Sequence, residues 1–184
     1  MKKLLSGSLL VILTLSLNAQ DKYFTKTGNI SFNSKTALEN IEARHKSVTC
    51  VVDTKAGNIA FAILMKGFEF EKALMQEHFN ENYVESNKFP KAEFKGEILN
   101  NAEINYSKNG NYSVKVKGKL AMHGETNDTE AMGTMIVKDG KIQVNSIFNI
   151  LLSDYKIEIP KVVSDKVSNT VNIDVRCSLE PLKI

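Results

Sequence analysis

The segment VNIDVRCSLE (residues 171–180) decides the class of fold. Its apolar side chains recur at every second position, and polar or charged side chains lie between them. A period of two is typical of a β-strand with one buried face, because successive side chains of a strand point to opposite sides of the sheet. The same alternation continues in residues 112–122 and 142–152. Most of the chain is therefore predicted to be β-sheet.

Turn signals divide the alternating segments into about eight strands. Asn109-Gly110 and Asp139-Gly140 are dipeptides that favour tight hairpins, and hairpins make neighbouring strands antiparallel. The predicted strands cover residues 23–33, 46–54, 57–66, 91–99, 111–122, 128–138, 141–153 and 168–180. The sequence thus indicates an all-β protein with an antiparallel sheet.

A sheet with one apolar face must close or fold over to bury that face. Closure into an up-and-down barrel of eight strands removes both edges, whereas a two-sheet sandwich buries the same faces. Runs of ten or more residues favour tall barrel walls. Gly96 and Gly118, on the inward phase, would let their strands bend sharply and leave space inside. In residues 70–83 the apolar spacing changes and predicts a short helix at one end of the barrel.

Residues 1–19 have the pattern of a secretory signal peptide. Lys2 and Lys3 give a positive start, residues 9–17 (LLVILTLSL) are apolar, and Ala19 is a small residue suited to cleavage. A transmembrane helix needs about 20 apolar residues, so no stable membrane insertion is predicted. Residues 20–184 are expected to form one domain in the periplasm or outside the cell.

Charge and cysteine content exclude further classes. Removal of Lys2 and Lys3 lowers the formal net charge from +3 to about +1, which offers no electrostatic basis for binding nucleic acid. Cys50 and Cys177 are the two cysteines, too few for a disulfide scaffold. They could form one bridge in an oxidising compartment or remain two buried thiols.

Three segments, in order along the chain, resemble the YceI-like family. HFNENYVESNKFPKAEFKG (78–96) is similar to a helix that leads through an aromatic-proline step into a strand. VKGKLAMHGET (116–126) is similar to the family's Gly-x-Leu-x-x-His-Gly-x-Thr hairpin, and FNILLSDYKIEIP (148–160) to its apolar strand followed by Asp-Tyr-x-Ile-x-x-Pro. The sequence departs from the family in lacking tryptophan, in a polar segment at 37–47, and in the turn at 163–166.

The resemblance implies a lipocalin-like barrel, exported to the periplasm, that encloses a long isoprenoid such as a polyprenyl chain or quinone tail. It implies a carrier or scavenger rather than an enzyme, with no cofactor besides this ligand, and a homodimer is one assembly that the sequence allows. The apolar residues expected to contact the ligand could equally fill a solid core. They are Phe61, Ile63, Met65, Phe94, Leu120, Met122, Phe148, Ile150, Leu152 and Val175.

The polar residues near the helix could be metal ligands, catalytic groups or rim residues. His45, His78 and His123 lie on separate segments without a second ligand at zinc-type spacing, so no metal site is predicted. A lipid-modifying or hydrolytic enzyme could use His78 or His123 as a base, but no Ser or Cys lies in a recognisable nucleophile motif. A stress-associated barrel without ligand is the third alternative. The residues expected at the rim, near a ligand headgroup, are His78, Asn80, Tyr83, Lys88, Lys91 and His123.

Overall fold

The computed structural model describes residues 21–182, and its main feature is a closed antiparallel sheet. The strands are β1 (Lys22–Lys35), β2 (Asn40–Asp53), β3 (Asn58–Leu64), β4 (Glu69–Phe70), β5 (Lys91–Ile98), β6 (Gly110–Met122), β7 (Glu125–Lys138), β8 (Lys141–Leu151) and β9 (Thr170–Pro181). One helix, α1 (Ala73–His78), continues into a π-helical turn at Phe79–Tyr83, and 3-10 turns occur at Met65–Gly67, Asn101–Glu103, Leu152–Tyr155 and Lys161–Val163. The signal peptide predicted for residues 1–19 lies outside the described residues.

Eight long strands close into a barrel. Their order around the wall is β1-β9-β8-β7-β6-β5-β3-β2, and β2 pairs again with β1. All of these pairings are antiparallel, and the two-residue β4 adds to β2 above the end of β3. The prediction of an all-β, lipocalin-like antiparallel barrel with a short helix at one end is confirmed, and the sandwich is excluded.

The second strand begins earlier than the sequence pattern predicted. It starts at Asn40 rather than near residue 46, within the unusually polar segment. Alternate side chains of this segment face water, whereas Ala43 and His45 point inward and are buried. β1 supplies the partner, with Phe32 opposite Ala43. A strand with one solvated face tolerates this polarity as long as its inward positions are filled.

Two hairpins have two-residue turns with positive φ at both positions. His123 and Gly124 have φ of 52° and 80°, and Asp139 and Gly140 have φ of 52° and 74°. This is the turn geometry that matches the twist of paired strands. Asn109-Gly110, by contrast, forms no tight hairpin, because the longer loop 99–109 joins β5 to β6.

One end of the barrel, here called the closed end, is packed solid. It carries the turn 54–57, the loop 99–109 and the hairpin turn 139–140. Val52, Ile142 and Leu179 are each 0% exposed there, and they pack with other buried side chains in one core cluster.

The two terminal strands also meet at the closed end. Tyr23 of β1 lies opposite Pro181 of β9, and the Leu182 amide donates to the Lys22 carbonyl at 2.8 Å. The other end, here called the open end, carries the loop 36–39, residues 65–90, the turn 123–124 and the loop 152–169.

Candidate functional site

A cavity of about 320 Å³ occupies the half of the barrel nearest the open end. Inward side chains from all eight long strands contribute to its wall, and the lining is almost entirely apolar. The volume lies near the lower bound for small-molecule sites, which commonly measure about 300–1,000 Å³. The barrel is therefore solid at one end and hollow at the other.

All ten apolar residues expected to contact a ligand line this cavity. Eight lie on the inward phase of a strand, where the period of two places them, while Met65 and Leu152 begin 3-10 turns that directly follow β3 and β8. Their role in binding stays a prediction. The ten are Phe61, Ile63, Met65, Phe94, Leu120, Met122, Phe148, Ile150, Leu152 and Val175.

Sequence reasoning missed an aromatic cluster on one side of the cavity. Phe32 of β1 and Phe79 of the π-helical turn stack with ring centroids 5.6 Å apart. Phe68 and Phe70, which precede α1, pack against both rings at 5.1–5.8 Å. The inward phase of β1 could have identified Phe32. The other three come together only through the tertiary fold, because the segment 65–83 passes through four different conformations.

Gly96 and Gly118 make room for a ring of the protein itself. They lie opposite each other in the β5–β6 ladder. A Cβ atom on Gly96 would stand 2.6 Å from Cζ of Phe94, and one on Gly118 would stand 2.3 Å from the Lys95 carbonyl oxygen. Glycine is required at both positions because the strands approach closely and the Phe94 ring covers them. The space expected there is occupied by Phe94.

Polar groups of the cavity lining include a set at the open end. Ser34, Glu39, His78 and Lys166 all contribute to the lining, on three different segments around the opening. The Glu39 carboxylate lies 3.4 Å from the ammonium of Lys72. A polar ligand group at the opening would thus meet groups of both charges, whereas an apolar chain would lie deeper.

Of the six predicted rim residues, the cavity lining includes His78 and Tyr83. Asn80 donates from Nδ2 to the Gln76 carbonyl at 2.8 Å, as part of the helical segment. The Lys88 ammonium lies 4.8 Å from the Phe89 ring centroid, and Lys91 is exposed at the start of β5. These three side chains lie outside the cavity lining.

His123, the sixth predicted rim residue, ties three segments together. Its Nδ1 lies 2.8 Å from the Tyr155 carbonyl oxygen, and its Nε2 lies 3.0 Å from Oε2 of Glu85. The ring packs edge-on against Phe89 at 4.7 Å, and the side chain is only 10% exposed. It also lies outside the cavity lining. These contacts join the β6–β7 turn to the segment after α1 and to the loop after β8.

The remaining histidine, His45, is held inside the barrel by two hydrogen bonds. His45 is buried, with Nε2 3.0 Å from the Leu64 carbonyl oxygen, and its Nδ1 accepts from the Ser47 amide at 3.0 Å. Within residues 21–182, no three His, Cys, Asp or Glu side chains are grouped so that they could hold a metal ion.

The two cysteines meet across β1 as free, buried thiols. Cys177 of β9 packs against Gly28 of β1. A Cβ atom added to Gly28 would lie 2.4 Å from Sγ of Cys177. A hydrogen bond with Cys177, together with burial, raises the pKa of the Cys50 thiol. The alternation placed both cysteines inward correctly, but the sequence did not show that they are neighbours.

The fold and the cavity define the class: a lipocalin-like barrel of eight antiparallel strands, hollow at one end. The family profile of the YceI-like domain matches residues 22–179, and the chain belongs to this family. The resemblance read from the three sequence segments is confirmed. No curated protein sequence matches the chain.

Solved structures share the fold at low sequence identity. A polyisoprenoid binding domain from Saccharophagus degradans, implicated in plant cell wall breakdown, superposes with a TM-score of 0.77 at 16% identity, covering 89% of this chain and 99% of that one. BcnA of Burkholderia cenocepacia has a TM-score of 0.67 at 16% identity, covering 83% and 95%. A YCEI protein of Campylobacter jejuni has a TM-score of 0.53 at 15% identity, covering 97% of each chain.

The helical segments among residues 21–182 are too short or too polar for any of them to cross a lipid bilayer.

Proposed function

We propose that the protein binds one long isoprenoid chain, a polyprenyl lipid or a quinone tail, in the hollow half of its barrel and acts as an exported carrier or scavenger. The apolar cavity at the open end is the observation that supports this most strongly. The likeness in fold to a polyisoprenoid binding domain supports the same class of ligand. Cleavage after Ala19, read by N-terminal sequencing of protein from the native source, would support export.

The hydrophobic effect alone is large enough for such binding. Burying about 500 Å² of apolar ligand surface at about 25 cal/mol per Å² contributes roughly 12 kcal/mol. Loss of translational freedom and ordering of the chain consume a large part of this free energy. Useful affinity remains without any charged contact. The four polar groups at the opening would then face the headgroup rather than the chain.

Organic extraction followed by mass spectrometry tests the proposal. Protein purified from its native source should release close to one isoprenoid lipid per chain. The variant Phe148→Lys should release none, because an ammonium in an apolar cavity must be desolvated or hydrated, and both exclude the ligand. Extracts of wild-type protein that contain no lipid would contradict the proposal and favour a barrel without ligand.

The adjacent outward position supplies the matched control. Asn149 follows Phe148 by one residue in β8, and its side chain is exposed and accepts from Asn172 at 2.9 Å. Asn149→Lys places the same charge on the same strand outside the cavity, so lipid recovery should equal that of wild type. If Phe148→Lys does not fold, Ile150→Trp reduces the cavity without a charge and should lower lipid recovery while circular dichroism shows a folded barrel.

The enzyme alternative gains no support from the surroundings of His123, whose two ring nitrogens face Tyr155 and Glu85. Without a nucleophile or substrate group beside it, this histidine has a structural role in the proposal. His123→Asn should therefore leave the extracted lipid unchanged in mass and amount. A chemically altered lipid in wild-type extracts, absent from this variant, would favour an enzyme.

A further inference from the structure

The barrel wall has a local gap in strand pairing between β7 and β8. Their ladder runs from the pair Lys138 and Lys141 to the pair Gly133 and Ser146, where it ends. Nearer the open end, residues 125–132 of β7 pair with β6, and residues 147–151 of β8 pair with β9. No pairing joins these two stretches to each other in the described part of the chain. We call the interval between them the seam.

Side chains and a turn hold the two ends of the seam. At the end next to the β7–β8 ladder, Ser146 donates from Oγ to the Met132 carbonyl at 2.7 Å. At the end nearest the open end of the barrel, Asn127 of β7 donates from Nδ2 to the Asp154 carbonyl at 2.6 Å. The Lys156 ammonium lies 2.7 Å from the Glu125 carboxylate. Between these ends, the buried Tyr155 side chain, in the turn after β8, forms a hydrogen bond with Thr129 of β7.

The cavity extends to the seam. Met132 and Asn145 lie on the outward phase of β7 and β8, one on each side of the seam, yet both contribute to the cavity lining. Outward residues of an intact barrel wall face solvent, because successive side chains alternate between inside and outside. Their presence in the lining shows that the cavity borders the seam where the β7–β8 ladder ends.

Exposed apolar side chains flank the seam on the outside. Met132 is 55% exposed on β7, while Ile147 and Leu151 are 62% and 40% exposed on β8. The other outward residues of β7 in the open half are polar or charged. Apolar side chains gathered at one place on a soluble surface commonly mark a site of contact. Here they border the seam on its outer side.

We propose that the seam is a lateral entrance through which an apolar chain passes sideways into the cavity, with Met132, Ile147 and Leu151 as its outer contacts. This inference rests on the proposed binding of an isoprenoid. A chain that enters sideways does not have to be threaded end first past the charges of Glu39 and Lys166. Its polar headgroup remains in water at the open end, which avoids the cost of desolvating that group during loading.

Along the seam, β7 and β8 can separate without breaking a backbone ladder. Where the ladder is continuous, as between β6 and β7, two neighbouring strands must break its backbone hydrogen bonds before they part. Each such bond contributes to stability, so opening several at once is rare. At the seam, strand separation requires the loss of a few side-chain contacts and of no backbone ladder.

A reversible cross-link across the seam tests the proposal. Met132→Cys and Ile147→Cys place two exposed thiols on opposite sides, and a bis-maleimide with a cleavable disulfide spacer joins them. The native thiols are buried and stay unmodified, which mass spectrometry can verify. Delipidated protein is mixed with phosphatidylcholine vesicles that contain octaprenyl alcohol, and the lipid taken up over time is extracted and measured.

Two matched cross-links serve as controls. Lys117→Cys with Glu130→Cys joins exposed residues that lie opposite each other on the paired strands β6 and β7. Leu38→Cys with Leu74→Cys joins the loop before β2 to α1 across the opening at the barrel end. The seam cross-link should slow uptake at least about tenfold, a change well resolved in a rate measurement, and cleavage of the spacer should restore it.

The outcomes separate this inference from the proposed function. Uptake by the seam-linked protein as fast as by the β6–β7 control would overturn the lateral entrance, and so would an equal or larger slowing by the cross-link at the opening. In both cases the unlinked protein still binds the lipid, and the proposed function stands. Failure of the unlinked wild-type protein to take up any octaprenyl alcohol would instead contradict lipid binding itself.

Discussion

The two halves of this barrel share one wall but are filled differently. At the closed end, side chains such as Leu179 and Ile142 have no exposed surface and fill the interior. At the open end, inward side chains of the same type, such as Leu120 and Ile150, border a cavity. The alternation of apolar and polar residues is the same in both halves. Periodicity thus determines which side chains point inward, whereas their packing against each other determines whether the interior is hollow.

Removing the same side chain from each half should give the largest difference. Leu179→Ala leaves a new void among packed neighbours and should lower the free energy of unfolding by about 3–5 kcal/mol. Leu120→Ala enlarges an existing cavity and removes fewer contacts, so a loss of about 1–2 kcal/mol is expected. Urea denaturation of delipidated protein measures both values. Equal losses would mean that the two halves are packed alike.

A second variant probes the tight contact across β1 near the closed end. In Gly28→Ala the new Cβ would stand 2.4 Å from Sγ of Cys177, so the strands must shift. We expect destabilisation by about 1–3 kcal/mol, as for other overpacked cores. The double variant with Cys177→Ala removes the colliding sulfur and should recover part of this loss relative to Cys177→Ala alone. No recovery in thermal or urea unfolding would assign the cost to the backbone instead.

The open half depends more on polar contacts, and His123 tests that difference. His123→Asn keeps a residue that tolerates positive φ but removes the contact with Glu85. Global stability should fall by only about 1 kcal/mol. Hydrogen exchange should instead increase mainly in residues 78–90, whose attachment to the β6–β7 turn is lost. Increased exchange at the closed end to the same extent would show that the halves unfold as one unit.

The smallest expected effect is a loss of stability at alkaline pH, and it arises at the closed end. Burial, with a further contribution from Tyr23, raises the pKa of Tyr106 to about 12, and its hydroxyl donates to Asn101 at 2.7 Å. The folded protein keeps a proton that the unfolded chain loses at a lower pH. This contribution to stability is complete below about pH 10 and is lost as the pH rises towards 12.

The matched variant for this pH dependence is Tyr106→Phe. Between about pH 10 and 12, wild-type stability should fall more steeply than that of the variant, while the other tyrosines affect both proteins equally. Urea midpoints across this range provide the measurement. Parallel curves would mean that Tyr106 titrates alike in the folded and unfolded states.

Most of the fold could be predicted from the sequence because the wall follows a single rule. Residues such as Phe148 and Val175 are placed inward by a period of two, and the structure puts them in the cavity lining. The segment 65–90 follows no single period. For this reason Phe68 and Phe79 were missed, and three rim candidates after α1 lie outside the lining. The contact between Cys50 and Cys177 depends on Gly28, a position whose importance becomes visible only when three strands are assembled.

The seam could not be predicted either, for a physical reason. Apart from a few outward apolar residues, the strands on both sides of it alternate like those of the paired region, because each strand still pairs with its other neighbour. The sequence pattern reports which face of a strand is buried, and it does not report whether both edges are bonded. Met132 and Ile147 are apolar residues on an outward phase, and this departure from alternation is the one local sign that the strand edge differs there.

The meeting of β1 and β9 at the closed end has a practical consequence for attaching other molecules to this protein. Both ends of the described chain emerge side by side, on the face farthest from the cavity opening. A fluorescent reporter, an affinity handle or a surface tether joined at either end would point away from the path of the ligand. A short peptide joining these two ends, with new ends cut elsewhere, should likewise yield a working circular permutant.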